Sequence, residues 1–443
     1  MSYYSFGTRA IHVGSEASTE TGAVIPAISL STTFKQDSVG VHKGFEYSRS
    51  DNPNRRAFEA QLASLEQGKH ALAFASGSAA TATVLTAVGA NAHVISVNDV
   101  YGGTHRYLTR VAKELQNVEV TWLDLENATE ETILGSIKEN TKLLLVETPT
   151  NPTLRLIDIP HIARILKSHP VQPLLMVDNT FMSPYYQSPL RLGADVVLHS
   201  ITKYINGHSD VVMGALILPE VSPDSKPFFS YFLDKLRFLQ NAMGNIPSPH
   251  DAWLAQRGAK TLHLRMRAHG LGALSVAKAL ERAKERGLVR DVTYPGLLTN
   301  SRFKVAWDIL DGIPFGGMVS FRINGGEQET DRFLAHLNLF TLAESLGGVE
   351  SLVEVPEKMT HGAIPPAERA LLGIGPDLIR LSIGIEDPED LVRDIEHALE
   401  AVKSPLQVNL APSTPVSEDD SPLATAPHSS AVSENGDAVK LSL

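Results

Sequence analysis

Between residues 71 and 218 short apolar runs alternate with stretches of helical spacing, and this alternation restricts the fold more than any other feature of the 443-residue chain. The runs 71–75, 92–97, 118–123, 142–146, 173–178, 194–198 and 211–218 read as buried strands. Helical spacing fills the intervals. Phe58, Leu62 and Leu65 share one face of a helix that starts at Arg55 and stops at Gly68, and further helices open at Ser76-Gly77-Ser78, after Gly103, at Thr129 and over 159–166. Elements alternating at these lengths imply an α/β fold, a mostly parallel sheet covered on both faces. Open sheets of that kind hold ligands beyond the carboxyl ends of their strands. Polar residues gather at those ends: Asp99 and Tyr101, Glu147 and Asn151, Asp178, and Ser200.

One of these ends carries a lysine. In Ser200-Ile201-Thr202-Lys203-Tyr204 an amine follows two hydroxyl residues just past an apolar run. An amine there can form a Schiff base with a carbonyl, and the Ser200 and Thr202 hydroxyls can donate to a phosphate of the same molecule. Pyridoxal 5'-phosphate (PLP) has both groups. Asp178, closing the neighbouring run Leu174-Leu175-Met176-Val177, is a carboxylate able to keep a pyridine nitrogen protonated, which makes the ring an electron sink. The small-residue turn Ser76-Gly77-Ser78 opens a helix whose first N–H groups suit a phosphate, although small residues serve tight packing equally well. Tyr101, before Gly102-Gly103, can stack on a flat ring or simply pack.

Residues 1–54 show little periodicity and read as an arm that needs another surface to lie on. Within it Tyr47 and Arg49 alternate along an extended segment, so both can reach one phosphate; a solvated turn is the competing reading. After the PLP-binding region, 55–258, a long helical segment over 260–286 leads into a C-terminal α+β domain, 259–404, with strands at 318–323 and 378–383. Arg380 lies inside the second of these apolar strands, where an unpaired guanidinium is costly, so it must meet an anion, either a structural carboxylate or a ligand. Residues 405–443, rich in Pro, Ser, Ala and Thr, read as a disordered tail.

A net charge of -11 argues against nucleic acid or an anionic membrane as the main partner. With no cysteine, thiolate metal sites and a cysteine nucleophile are excluded, and the 16 histidines show no metal-ligand spacing. No leader pattern opens the chain and no apolar run reaches the length of a membrane span, so a cytoplasmic protein is expected.

Eight motifs resemble those of the PLP enzymes of cysteine and methionine metabolism: Tyr47-Ser48-Arg49, Ser76-Gly77, Asp99-Val100-Tyr101-Gly102-Gly103, Glu147-Thr148-Pro149-Thr150-Asn151-Pro152, Asp178-Asn179-Thr180, Ser200-Ile201-Thr202-Lys203-Tyr204, Ala343-Glu344-Ser345-Leu346-Gly347-Gly348 and Arg380-Leu381-Ser382. The likeness spans about residues 10–402. It implies the type I aminotransferase fold, a homotetramer of two tight dimers, and a lysine-bound cofactor on Lys203. Asp178 would then pair with the ring nitrogen and Tyr101 would stack on the ring. Gly77, Ser78, Ser200 and Thr202 would hold the phosphate, with Tyr47 and Arg49 reaching it from the neighbouring subunit. Asn151 would lie near the ring hydroxyl and share the substrate side with Ser345 and Glu344, and Arg380 would bind the substrate α-carboxylate. The reaction implied is cleavage of cystathionine to cysteine, 2-oxobutanoate and ammonia. The γ-synthase reaction and a non-catalytic scaffold are the alternatives. Gly103 stands where methionine γ-lyases tend to carry cysteine, and Glu344 and Leu346 stand where β-lyases tend to carry tyrosine and tryptophan.

Overall fold

The computed structural model describes residues 4–221, 229–362 and 364–403; the tail expected over 405–443 lies outside them. Among the described residues a seven-stranded sheet runs in the order His70–Phe74, Gly214–Leu218, Val196–Ser200, Leu174–Asp178, Thr141–Glu147, His93–Val97, Glu119–Leu123. All neighbours are parallel except Gly214–Leu218, which is antiparallel to both of its partners. The mostly parallel α/β reading therefore holds. The central strands are buried on both faces, as the unbroken apolar runs require.

Two cores flank this sheet. One joins Val94, Leu144, Met176 and Leu198 to Val84 and Ile162, and the other joins Val197, Ala215 and Ile217 to Phe58, Leu62 and Leu262. The smaller C-terminal α+β domain is built on a five-stranded sheet, Val289–Thr293, Met318–Ile323, Leu378–Ser382, Leu352–Glu354 and Thr341–Leu342 in that order. Helices Leu262–Glu285 and Pro388–Lys403 bury Val276, Leu280, Ile395 and Leu399 against Val319, Phe321 and Leu381. Each such side chain contributes about 1.5–3 kcal/mol relative to exposure. Among the described residues no helix is long and apolar enough to cross a membrane.

Four local expectations change. The helix expected from Arg55 begins at Pro53, capped by the Asn52 side chain accepting from Asn54 N–H, and it ends at Leu65 rather than Gly68, with Gln67 in the left-handed region at φ 59°. The arm carries a helix, Phe6–His12, that buries Ala10; seven residues are too few to display a period in sequence. The run 194–198 is displaced to Val196–Ser200, because Ser200 still pairs with Gly214 across the antiparallel neighbour. The helix expected after Gly103 starts at Gly102 and continues as a π-helical turn, Tyr107–Ala112.

Candidate active site

At the carboxyl ends of the parallel strands lies a cavity of about 560 Å³. Eleven of the thirteen residues singled out in sequence line it: Gly77, Ser78, Tyr101, Asn151, Asp178, Ser200, Thr202, Lys203, Glu344, Ser345 and Arg380. The exceptions, Tyr47 and Arg49, do not line this chain's cavity. Tyr47 is 43% exposed, and Arg49 lays its guanidinium over the Tyr47 ring while donating from Nε to Asn241 Oδ1 at 3.2 Å.

Lys203 sits on a loop pinned from both sides. Thr202 Oγ1 donates to the Met213 carbonyl at 3.2 Å and accepts from Met213 N–H at 3.1 Å, closing the loop at its base. Behind it the buried Arg265 donates to the carbonyls of Tyr204, Ile205 and Gly258. In front, Gly347 lets a C-terminal loop approach closely; a Cβ there would lie 2.7 Å from the Tyr204 amide nitrogen, and the residue has φ +78°. That loop presents Ser345, a non-glycine residue at φ 96°. The rare conformation turns Ser345 Oγ to accept from Lys203 Nζ at 2.6 Å and its carbonyl to accept from Arg380 Nη2 at 2.6 Å. Burial pulls the Lys203 amine down to about 8, and Arg380 adds to the effect, against the opposing pull of Glu354 and Glu344.

Asp178 and Glu147 end adjacent strands in register. Burial raises both carboxyls, and the Asp178 charge raises Glu147 further, well above the usual range. Glu147 serves as a structural acceptor for Tyr101 N–H at 2.9 Å and Asn151 N–H at 3.0 Å. Asp178 Oδ1 instead receives two bonds from Thr180, from N–H at 3.0 Å and from Oγ1 at 2.6 Å, which favour its charged form. Of the two, Asp178 is the better anion. The Ser200 N–H donates to Thr180 Oγ1 at 2.9 Å, so one threonine ties the aspartate to the neighbouring strand end.

The helix Gly77–Val88 starts at the cavity, its cap Ser76 accepting from Ala79 N–H at 3.0 Å. A helix start leaves its first N–H groups without partners in the helix, and those of Gly77 and Ser78 belong to lining residues. A Cβ on Gly77 would come within 3.2 Å of Ser200 Cβ, so glycine brings helix start and hydroxyl residue together.

Arg380 is buried in its strand and meets a structural carboxylate, one of the two anion partners that sequence left open. It pairs with Glu354 on the adjacent strand, Nη1 to Oε1 at 2.9 Å, and donates from Nη1 to Asn151 Oδ1 at 2.8 Å. With the Ser345 bond, three of the five guanidinium donors are engaged. Nε has no partner among the described residues. One N–H of Nη2 also remains, so the guanidinium keeps donors for a further anion.

An amine drawn down to about 8, a carboxylate bonded twice by Thr180, hydroxyls with a helix N-terminus, and an aromatic ring suit the carbonyl, ring nitrogen, phosphate and ring face of PLP. Residues 7–400 match the family described as Cys/Met metabolism PLP-dependent enzyme. The chain belongs to that family. Cystathionine gamma-lyase of Saccharomyces cerevisiae is 50% identical over 398 residues, covering 89% of this chain and 97% of its own. The crystal structure of cystathionine gamma-lyase from yeast superposes with a TM-score of 0.83 at 49% identity, covering 91% of this chain and 99% of that one. A cystathionine gamma synthase structure from Xanthomonas oryzae pv. oryzae gives the same TM-score of 0.83 at 39% identity, covering 90% and 98%. The Cys/Met metabolism family uses PLP, and this member is a PLP-dependent enzyme with the family's large mostly parallel domain and smaller C-terminal domain.

Sequence reasoning missed several residues around the cavity. Glu354 is the lone charge in Leu352-Val353-Glu354-Val355, directly across from Arg380, and a search for a charge in a second apolar run would have found it. Thr180 sat in view inside the Asp178 motif without a stated role. Arg106 and Arg110 line the cavity at a four-residue interval, a spacing that puts both on one helix face.

Proposed function

We propose that this enzyme cleaves cystathionine to cysteine, 2-oxobutanoate and ammonia. The observation that carries the reading is the 50% identity over 398 residues to a protein named cystathionine gamma-lyase, against 39% for the gamma synthase structure. The site chemistry supports it. PLP, when bound, supplies an electron-poor ring that stabilises negative charge at the substrate Cα. Asp178 holds the ring nitrogen protonated, and Tyr101 covers the ring. The remaining donors of Arg380 receive the α-carboxylate and so orient the Cα–H bond. Lys203, its amine lowered to about 8 by burial, takes the proton from Cα and serves again when a proton leaves Cβ. The Cγ–S bond then breaks and cysteine departs; water enters the four-carbon remainder, which leaves as 2-oxobutanoate and ammonia. Glu344, exposed at the cavity wall, suits the distal ammonium of cystathionine.

Incubation with cystathionine should release cysteine and 2-oxobutanoate in equal amounts. Homocysteine and pyruvate would identify a β-lyase, and cystathionine formation from an activated homoserine ester with negligible cleavage would identify a synthase. Glu344→Ala should lower kcat/KM for cystathionine by about tenfold, the value of one charge-assisted contact, while changing that for substrates without a distal ammonium far less. Equal losses on both substrates would remove Glu344 from substrate recognition.

The same reading includes a homotetramer of two dimers in the cytoplasm, in which Tyr47 and Arg49 reach the phosphate of a neighbouring subunit. Support comes from the arm. Val24, Leu30 and Val39 stand 78%, 68% and 101% exposed, a string of apolar side chains that a second copy would cover. Light scattering should give the mass of four chains, and Arg49→Ala should weaken PLP binding. An active monomer would refute the shared site.

A further inference from the structure

On the face of the sheet turned away from the cavity, three buried polar side chains meet. Along Val196–Ser200, Leu198 and Ser200 line the cavity, so His199 between them points the opposite way. Its Nε2 bonds Glu66 Oε1, with His199 1% and Glu66 0% exposed. The same oxygen accepts from Asn179 Nδ2 at 2.9 Å, and Asn179 also donates from Nδ2 to the Gln187 carbonyl at 2.9 Å and from its N–H to the Leu198 carbonyl at 3.0 Å. Glu66 caps the carboxyl end of helix Pro53–Leu65, an element rooted in the core by Phe58 and Leu62. One carboxylate oxygen thus grips two strand ends from behind. His199 immediately precedes Ser200, and Asn179 immediately follows Asp178.

We propose that Glu66, through His199 and Asn179, is the positioning device that fixes Ser200 at the cofactor phosphate and Asp178 at the ring nitrogen relative to each other. The inference rests on the reading that those two residues face PLP. Besides the backbone bond from Asn179 N–H to the Leu198 carbonyl, two side-chain ties join the strand ends: Thr180 on the cavity side and Glu66 on the far side. With both in place, phosphate site and ring site keep one separation before the cofactor arrives, and binding needs no reordering. Removing the rear tie leaves a buried carboxylate short of a donor, and the strand ends relax in the empty protein.

The test is PLP titration of apo-protein, followed by absorbance and by visible circular dichroism, which reports the orientation of the bound ring. His199→Ala should raise the PLP dissociation constant about tenfold or more, the scale of one buried donor lost to a charged group, and should change the visible dichroism. His199→Gln, whose amide can donate to Glu66, should recover most of the affinity and the dichroism. If His199→Ala does not fold, Asn179→Leu, which keeps the side-chain volume, should show the same loss. His199→Ala with unchanged affinity and dichroism overturns the proposal, as does His199→Gln as impaired as His199→Ala. If the unaltered protein itself takes up no PLP, the cofactor site fails rather than this positioning role.

Discussion

Lys203→Ala should reduce turnover by about 10⁴-fold or more, the combined scale of a lost nucleophile and a lost proton carrier, and should leave no visible band after PLP addition and dialysis. The fold should survive. The Lys203 ammonium has Ser345 Oγ as its hydrogen-bond partner, and its loop is held by Thr202 and Arg265 instead. Lys203→Arg separates charge from reactivity, since a guanidinium stays protonated and offers no free amine; it should be as inactive as alanine. The unaltered protein carries its own check. Burial and Arg380 bring this amine down to about 8 from an ordinary 10.5, so the neutral form gains population from about pH 8 instead of about pH 10.5. Capture of PLP by apo-protein should accelerate with pH and level off above about 8. A rate still climbing at pH 10, or a yellow and active Lys203→Ala protein, would remove Lys203 from its assigned place.

What was readable in the sequence follows from range. Strands buried on both faces leave unbroken apolar runs, and helices leave a period, so the alternation and the polar strand ends could be seen directly. Lys203, Asp178 and Ser200 were legible because each ends such a run or comes within five residues of its end. Partnerships across the fold were not. Glu354 meets Arg380 only because a short strand lies beside the one carrying Arg380, and nothing local in Leu352-Val353-Glu354 announces that neighbour. The Glu66, His199 and Asn179 cluster joins positions 133 and 113 residues apart. The left-handed backbone at Ser345 is set by the loop's approach to the lysine segment and contradicts what serine prefers. The helix Phe6–His12 owes its place to packing of Ala10 and not to any pattern seven residues can display.

Arg380 tests whether one guanidinium serves both structure and substrate, and its two roles can be separated. Arg380→Ala leaves Glu354 buried without its cation, at a cost of about 3–5 kcal/mol, which should appear as a clear fall in Tm. Burial already raises the Glu354 carboxyl and Arg380 pulls it back, so in the variant it rises further. A carboxyl raised by folding binds protons more readily in the folded chain, so stability falls as pH rises above its unfolded value. The deficit should therefore be smallest in acid, where Glu354 is protonated in both states, and largest near neutrality. Adding Glu354→Gln should recover most of the stability, because the surviving amide carries no charge to strand. It should not recover binding: the guanidinium proposed to take the α-carboxylate is gone in either case. Arg380→Lys completes the separation. Its ammonium keeps a positive charge beside Glu354 and should hold Tm within a few degrees, yet it lacks the planar fork, so KM should rise by about 100-fold, the value of two charge-assisted bonds reduced to a point charge. If Arg380→Lys binds substrate normally, the guanidinium is not where the α-carboxylate sits.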